Sequence, residues 1–255
     1  MSVLNSLKLL PNLWLNYPLR KANPIIYVTN RCNSKCKICN HWKQTPKIDL
    51  SVDIVKDLLK SKSLYNNYVL EGGEVTLHPE FDKLMELFRG KNYLFFTNGI
   101  DTKRIVDAVN KYSIPIVHIS LDGLGSTYKE IRGVDKWSNV VQTIKALRNK
   151  TDLAVNYTIS PWNRFEDYQD IKWLCEKAKV KLLINIIASM PYMGLTQKEQ
   201  FIDPRYEEED NRPYIQYYNR WLTNQIKVPC YAIRFTTIIR PNGDVMLCQY
   251  RDIKL

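Results

Sequence analysis

Between residues 25 and 189 the sequence switches repeatedly between two hydrophobic periods, and no other feature limits its fold as much. Short β-type runs, IIYVTN (25–30), YVLEG (68–72), YLFFTN (93–98), IVHISLD (116–122), LAVNYTIS (153–160) and KLLINIIAS (181–189), are rich in Val, Ile, Tyr, Phe and Thr. Several are apolar almost throughout, as strands covered on both faces must be. Amphipathic helical spacings lie between them. Phe81, Leu84, Met85 and Phe88 fall at i, i+3, i+4 and i+7 just after Pro79. Ile105, Ala108, Val109 and Tyr112 repeat the pattern, as do Trp137, Val140, Val141, Ile144 and Leu147. Ser51 is placed to cap a helix carrying Ile54, Val55, Leu58 and Leu59. Six strand–helix alternations predict an α/β fold with a parallel sheet and right-handed crossovers. A closed eight-stranded barrel takes about 250 residues by itself, so an open or partial barrel is expected. Chemistry in such a sheet belongs at the carboxyl ends of the strands.

The motif-like residues fall at those ends. A loop with three cysteines follows the first strand, Gly72-Gly73-Glu74 closes the second and Asn98-Gly99 the third, while Ser120 and Asp122-Gly123 end the fourth. Four loops therefore converge on one rim. Beyond residue 190 the character changes. MPYMGLTQKEQFIDPRYEEED is polar and irregular, a helix is expected over about 205–225, and VPCYAIRFTTIIRPNGDVMLCQY reads as a β-hairpin turning at Pro241-Asn242-Gly243-Asp244. The expected organisation is an N-terminal segment (1–24), a core (25–190), a connecting segment with a helix (191–226) and a C-terminal tail (227–255).

No apolar run approaches the roughly 20 residues of a membrane span. The opening MSVLNSLKLLPNLWLNYPLRK is interrupted by Pro11, Asn12 and Asn16, and its positive charge follows its apolar part, which argues against a secretory signal. An amphipathic segment packed on the body, in a cytoplasmic protein without membrane attachment, is the expectation. The net charge of +11 keeps a nucleic-acid partner open, although the lysines are spread along the chain in the manner of solvated helix faces.

Three of the six cysteines, Cys32, Cys36 and Cys39, sit in the stretch RCNSKCKIC. Clustered cysteines in a cytosolic chain indicate metal or redox chemistry rather than a disulfide framework. Three thiolates supply three corners of a soft-metal site, whereas structural zinc takes four. His41 is an awkward fourth ligand, two residues from Cys39. An iron–sulfur cube held by three cysteines instead leaves one iron open to an exogenous ligand.

Here the sequence resembles the radical SAM superfamily, whose C-x3-C-x2-C loop follows the first strand of a partial (β/α)6 TIM-like barrel. LEGGEVTLHPEF resembles the superfamily's GGE segment, FTNG the end of its third strand, and ISLDGLGSTYKEIRG a stretch common in its peptide-modifying branches. The resemblance implies a 4Fe–4S cluster on Cys32, Cys36 and Cys39, with S-adenosyl-L-methionine bound at the open iron. Its reductive cleavage would give a 5′-deoxyadenosyl radical that takes hydrogen from the substrate. By the same resemblance Gly72 and Gly73 leave room for the cosubstrate's methionine end and Glu74 supplies negative charge nearby. Asn98 and Ser120 would bind ribose or carboxylate, and Arg132 the carboxylate. Ile38 stands where the family commonly has an aromatic against the adenine, and Val75 replaces the proline common after GGE.

Cys230 and Cys248 resemble the opening of a SPASM or twitch extension, which binds auxiliary iron–sulfur clusters. The further cysteines of that extension do not follow, so a degenerate, cluster-free cap is favoured over a second cluster. Cys175 shares a helical face with Ile171, Leu174 and Ala178 and reads as a core residue. The implied substrate is a peptide, protein or peptide-derived molecule, with a nucleotide, RNA or small metabolite as the alternative. Arg31, Lys35, Lys37, Lys43 and Lys47 would offset the cluster's charge or dock an acidic electron donor such as a flavodoxin. A zinc-stabilised module and a simple electron carrier are the competing classes.

Overall fold

The computed structural model describes residues 23–60, 67–189, 194–195, 202–210, 213–227, 236–248 and 254. The expected N-terminal segment and Cys230 lie outside the described residues. All six expected strands form: β1 (Asn23–Tyr27), β2 (Tyr68–Glu71), β3 (Tyr93–Thr97), β4 (Ile116–Ser120), β5 (Asp152–Ile159) and β6 (Lys181–Ile186). Neighbours pair in parallel from β1 through β6. The connecting helices are α1 (Val52–Lys60), α2 (Phe81–Phe88), α3 (Thr102–Tyr112), α4 (Gly125–Arg132), α5 (Trp137–Leu147) and α6 (Phe165–Ala178).

The sheet gains two strands from the end of the chain. β7 (Thr236–Ile239) runs parallel to β1, and β8 (Val245–Met246) folds back on β7 through the predicted turn. In that turn Gly243 adopts a φ of +84°, which its missing Cβ permits. The order is β6-β5-β4-β3-β2-β1-β7-β8, with β6 and β8 as opposite edges, so the barrel is partial and open. The single helix expected over 205–225 is two, α7 (Arg205–Asp210) and α8 (Pro213–Leu222). Proline has no N–H to give and a φ suited to a first turn, so Pro213 opens a helix rather than continuing one.

Strand alternation divides the chemistry. Ile26, Leu70, Phe95, Val117, Ile119, Val155, Tyr157 and Ile184 join the main hydrophobic core together with Leu84, Phe88, Ile105, Val140, Ile144 and Ile171 from the helices. Cys175 belongs to that core and is 2% exposed. The residues between them point the other way, into the concave side of the sheet. There Tyr27, Ile238 and Met246 form a small separate apolar cluster. Many charged side chains pair locally on the outer helices, as in Lys83–Glu80, Arg89–Glu86 and Lys103–Asp107. Among the described residues no helix is long and apolar enough to cross a membrane.

Candidate functional site

The cysteine loop is fixed to the fold from three sides by its own backbone. Leaving β1, Thr29 and Arg31 offer carbonyls that accept from Gly73 N and Glu74 N, each at 2.7 Å. A Cβ on Gly73 would lie 2.1 Å from Arg31 O and 3.0 Å from Cys32 Cβ, and one on Gly72 2.6 Å from Thr29 O. The two glycines therefore let the second loop lie directly on the cysteine loop. From the other side, Lys35 N donates to Arg132 O at 2.9 Å and Lys37 N to Ile131 O at 2.8 Å. The last carbonyls of α4 thus receive the loop's amides, which satisfies groups a helix end leaves unpaired. Gly133, with φ +67°, passes so close that a Cβ would meet Lys35 O at 2.5 Å. Beyond the cysteines, Trp42 Nε1 donates to Cys36 O at 3.1 Å.

The loop forms one wall of a cavity of about 290 Å³ at the carboxyl ends of the strands. Cys32, Cys36, Ile38, Cys39, Gly72, Gly73, Asn98, Ser120 and Arg132 all line it. His41, weighed from the sequence as an awkward fourth ligand, lines it too. Sequence reasoning missed Tyr27, Glu71, Asn156 and Thr158, which also line it and which strand alternation could have found, since each stands beside an outward-facing core residue.

Glu74 does not line the cavity. Its carboxylate, 2% exposed, accepts from Thr76 N at 3.2 Å, Thr76 Oγ1 at 2.8 Å, Thr97 Oγ1 at 2.9 Å and Asn98 N at 2.8 Å. Burial pushes its carboxyl up, against those hydrogen bonds. These bonds clamp the second loop to the end of β3. That clamp places Asn98, whose Nδ2 donates to Asn33 Oδ1 at 2.6 Å within the cysteine loop.

Arg132 is held by Asp122, with Nη2 to Oδ2 at 2.5 Å and both side chains buried. Burial works against its charge, but Asp122 and Cys36 more than offset this and its pKa rises. Removing one partner of such a pair typically costs about 3–5 kcal/mol. Arg132 Nη1 reaches Cys36 Sγ at 3.8 Å and, among the described residues, its Nε has no hydrogen-bond partner. Asn156 Oδ1 is likewise buried without one among them. His41 stacks on Tyr27 with ring centroids 5.0 Å apart, and burial lowers its pKa to about 4.

The three thiols share one electrostatic condition. Burial raises Cys32 to about 11 and Cys39 to about 12, and it raises Cys36 as well despite Arg132. Such thiols ionise only against a compensating positive centre. Among the described residues no three His, Cys, Asp or Glu side chains are arranged around one metal ion. Three soft donors spread over one cavity wall, with orphaned polar atoms around them, fit a polynuclear group carrying a polar ligand better than a closed zinc site. Cys248 lies just past β8 and is half-buried, and it does not line the cavity.

The chain belongs to the radical SAM superfamily, whose family model matches residues 26–175. Among solved structures it is similar to SuiB of Streptococcus suis bound to S-adenosylmethionine, with a TM-score of 0.75 and 17% identity. That match covers 98% of this chain but 65% of SuiB, so the chain spans less than two-thirds of that relative. It is also similar to native anSMEcpe with bound AdoMet, with a TM-score of 0.65, 18% identity, and 91% of this chain and 75% of that one covered. Methylornithine synthase (PylB) follows at a TM-score of 0.58 and 12% identity, with 84% and 73% covered. At these identities the likeness is one of fold. No curated protein matches the chain significantly.

Proposed function

We propose that this chain is a radical SAM enzyme that holds a 4Fe–4S cluster on Cys32, Cys36 and Cys39 and acts on a peptide or protein. The observation that carries this reading is the placement of three thiols, Cys36 buried and Cys32 and Cys39 half-buried, on the same cavity wall as the Gly72-Gly73 loop, Asn98 and Arg132. When bound, the cluster would supply the electron that cleaves S-adenosylmethionine, and the 5′-deoxyadenosyl radical so formed would abstract a substrate hydrogen.

The chain's own residues have separable tasks in this scheme. The backbone of Gly72 and Gly73 would face the cosubstrate's methionine end, and Asn98 and Ser120 would offer hydrogen bonds to its polar groups. Arg132, kept charged by Asp122, would meet its carboxylate. Ile38 would give an aliphatic surface to the adenine. Glu74 acts as a positioning residue for Asn98 rather than as a ligand. A peptide substrate is supported by two of the neighbours, since SuiB is known bound to the precursor peptide SuiA and anSMEcpe to the Cp18Cys peptide. The tail contributes strands to the sheet and, with Cys248 away from the cavity, is read as a cap without a second cluster.

The test is direct. Anaerobically reconstituted protein with dithionite and S-adenosylmethionine should form 5′-deoxyadenosine and carry about four irons per chain, one cube's worth. Colourless protein containing zinc, or brown protein forming no 5′-deoxyadenosine, would sink the reading. For the electron donor, an acidic flavodoxin-type protein meets the basic rim of the cysteine loop. Arg31 and Lys37 are already paired with Asp49 and Glu130, and Lys47 Nζ donates to two backbone carbonyls. Exposed Lys35 is the charge best placed for a partner. Lys35→Glu is expected to slow flavodoxin-driven turnover at low salt and leave dithionite-driven turnover unchanged; equal flavodoxin rates would refute the docking role.

A further inference from the structure

The geometry points to a subsite for a substrate cation, a lysine-type ammonium or an arginine-type guanidinium, built from Glu71, Tyr27 and Phe96 in the wall of the cavity. This rests on the radical SAM reading and specifies the substrate it takes. Glu71 is the acidic residue among the described residues lining the cavity, and it carries no ion pair among them. The other buried charges near the cavity are already matched, Arg132 by Asp122 and Glu74 by its four donors.

Register places the three residues side by side. Tyr27 on β1 is opposite Glu71 on β2, and Phe96 follows the Leu70–Phe95 pair on β3. All three face the cavity. Tyr27 donates a hydrogen bond to Glu71, yet burial still raises the carboxyl to about 7. Glu71 thus has a hydrogen bond from Tyr27 but, among the described residues, no ion pair. The Tyr27 ring is stacked on His41 and Phe96 meets His118 edge to face, so the two rings form apolar flanks and the attraction for a cation comes from the Glu71 carboxylate between them. A neutral or acidic substrate group would leave Glu71 with no counter-ion. Within the cavity the site sits beside Gly72, on the strand end from which the cosubstrate loop departs.

The experiment measures binding of three short amide-capped peptides, Gly-Lys-Gly, Gly-Arg-Gly and Gly-norleucine-Gly, to reconstituted protein saturated with S-adenosylmethionine and kept oxidised. The lysine and arginine peptides are expected to bind about tenfold more tightly than the norleucine peptide, the factor that about 1.4 kcal/mol of ion pairing gives. Glu71→Gln, which keeps the shape and removes the charge, should abolish that preference. S-adenosylmethionine affinity and the slow formation of 5′-deoxyadenosine without peptide should stay within about twofold of wild type. Tyr27→Phe, which keeps the ring, should preserve the preference. Equal binding of the three peptides, or binding of none, overturns the subsite. So does a Glu71→Gln protein whose S-adenosylmethionine affinity falls about tenfold, because the carboxylate would then serve the cosubstrate. Failure of wild type to form 5′-deoxyadenosine refutes the radical reading instead, and the peptide preference is read without turnover.

Discussion

Cys36→Ala is expected to abolish 5′-deoxyadenosine formation and to strip the protein of most of its iron while leaving it folded. Cys36 is the most buried of the three loop cysteines and has Arg132 Nη1 at 3.8 Å from its sulfur. Losing one small side chain beside a cavity costs on the order of 1 kcal/mol, which shifts the melting temperature of a chain this size by only a few degrees. The backbone anchors of the loop, Lys35 and Lys37 to the end of α4, do not involve the thiol. Function and fold should therefore separate. Cys175→Ala supplies the contrast, because Cys175 lies in the core of α6 on the far side of the sheet from the cavity. It should lose comparable stability and keep both iron and product. Product formation by the Cys36 variant, or its loss in the Cys175 variant, would contradict the assignment of the loop.

The strands were legible because their signal is local. A run such as IVHISLD is apolar enough to demand cover on both faces, and β4 falls inside it. The helical spacings of α2, α3 and α5 were legible for the same reason. What could not be read locally was pairing at long range. Nothing in TTII states that β7 will lie beside β1, more than 200 residues earlier, rather than only against its own hairpin partner. Pro213 is a helix start that the single-helix reading of 205–225 does not register, so one helix is expected where two form.

The site divides along the same line. The cysteines, the glycine pair, Asn98, Ser120 and Arg132 all reach the cavity, because the ends of adjacent parallel strands must meet at one rim. Of the two glutamates flanking Gly72 and Gly73, only Glu74 is singled out by the sequence motif, yet Glu71 is the one that lines the cavity. Glu71 still belongs to β2, where alternation turns it inward opposite Tyr27. Glu74 has left the strand, and the four donors that hold its carboxylate come from Thr76, Thr97 and Asn98. A motif identifies a segment, but the direction of each side chain within it depends on where the strand ends. The role of α4 was hidden differently, since its contribution to the loop is made by backbone carbonyls that no side-chain pattern records.

Gly73→Ala should be the most damaging single-methyl change in the protein, and it separates two explanations of the glycine pair. If the glycines serve only to admit the cosubstrate, an added methyl weakens S-adenosylmethionine binding and leaves the metal-free protein as stable as wild type. The packing argues for more than that. The new Cβ would stand 2.1 Å from Arg31 O and 2.6 Å from Arg31 C, both backbone atoms that no side-chain rotation can move aside. The loops would have to part, lengthening the 2.7 Å bonds from Gly73 N to Thr29 O and from Glu74 N to Arg31 O. Overpacking of about 1–3 kcal/mol and about 1 kcal/mol for each weakened hydrogen bond give an expected loss of about 3–5 kcal/mol. Urea unfolding of the metal-free protein reads this directly. Gly90→Ala is the control: its Cβ would meet nothing within 4 Å, and its φ of +71° should cost only about 1–2 kcal/mol. Iron loading should then fail in the Gly73 variant alone, because Cys32 moves with Arg31. A Gly73→Ala protein within about 1 kcal/mol of wild type and fully loaded with iron would leave cosubstrate access as the reason for the glycine.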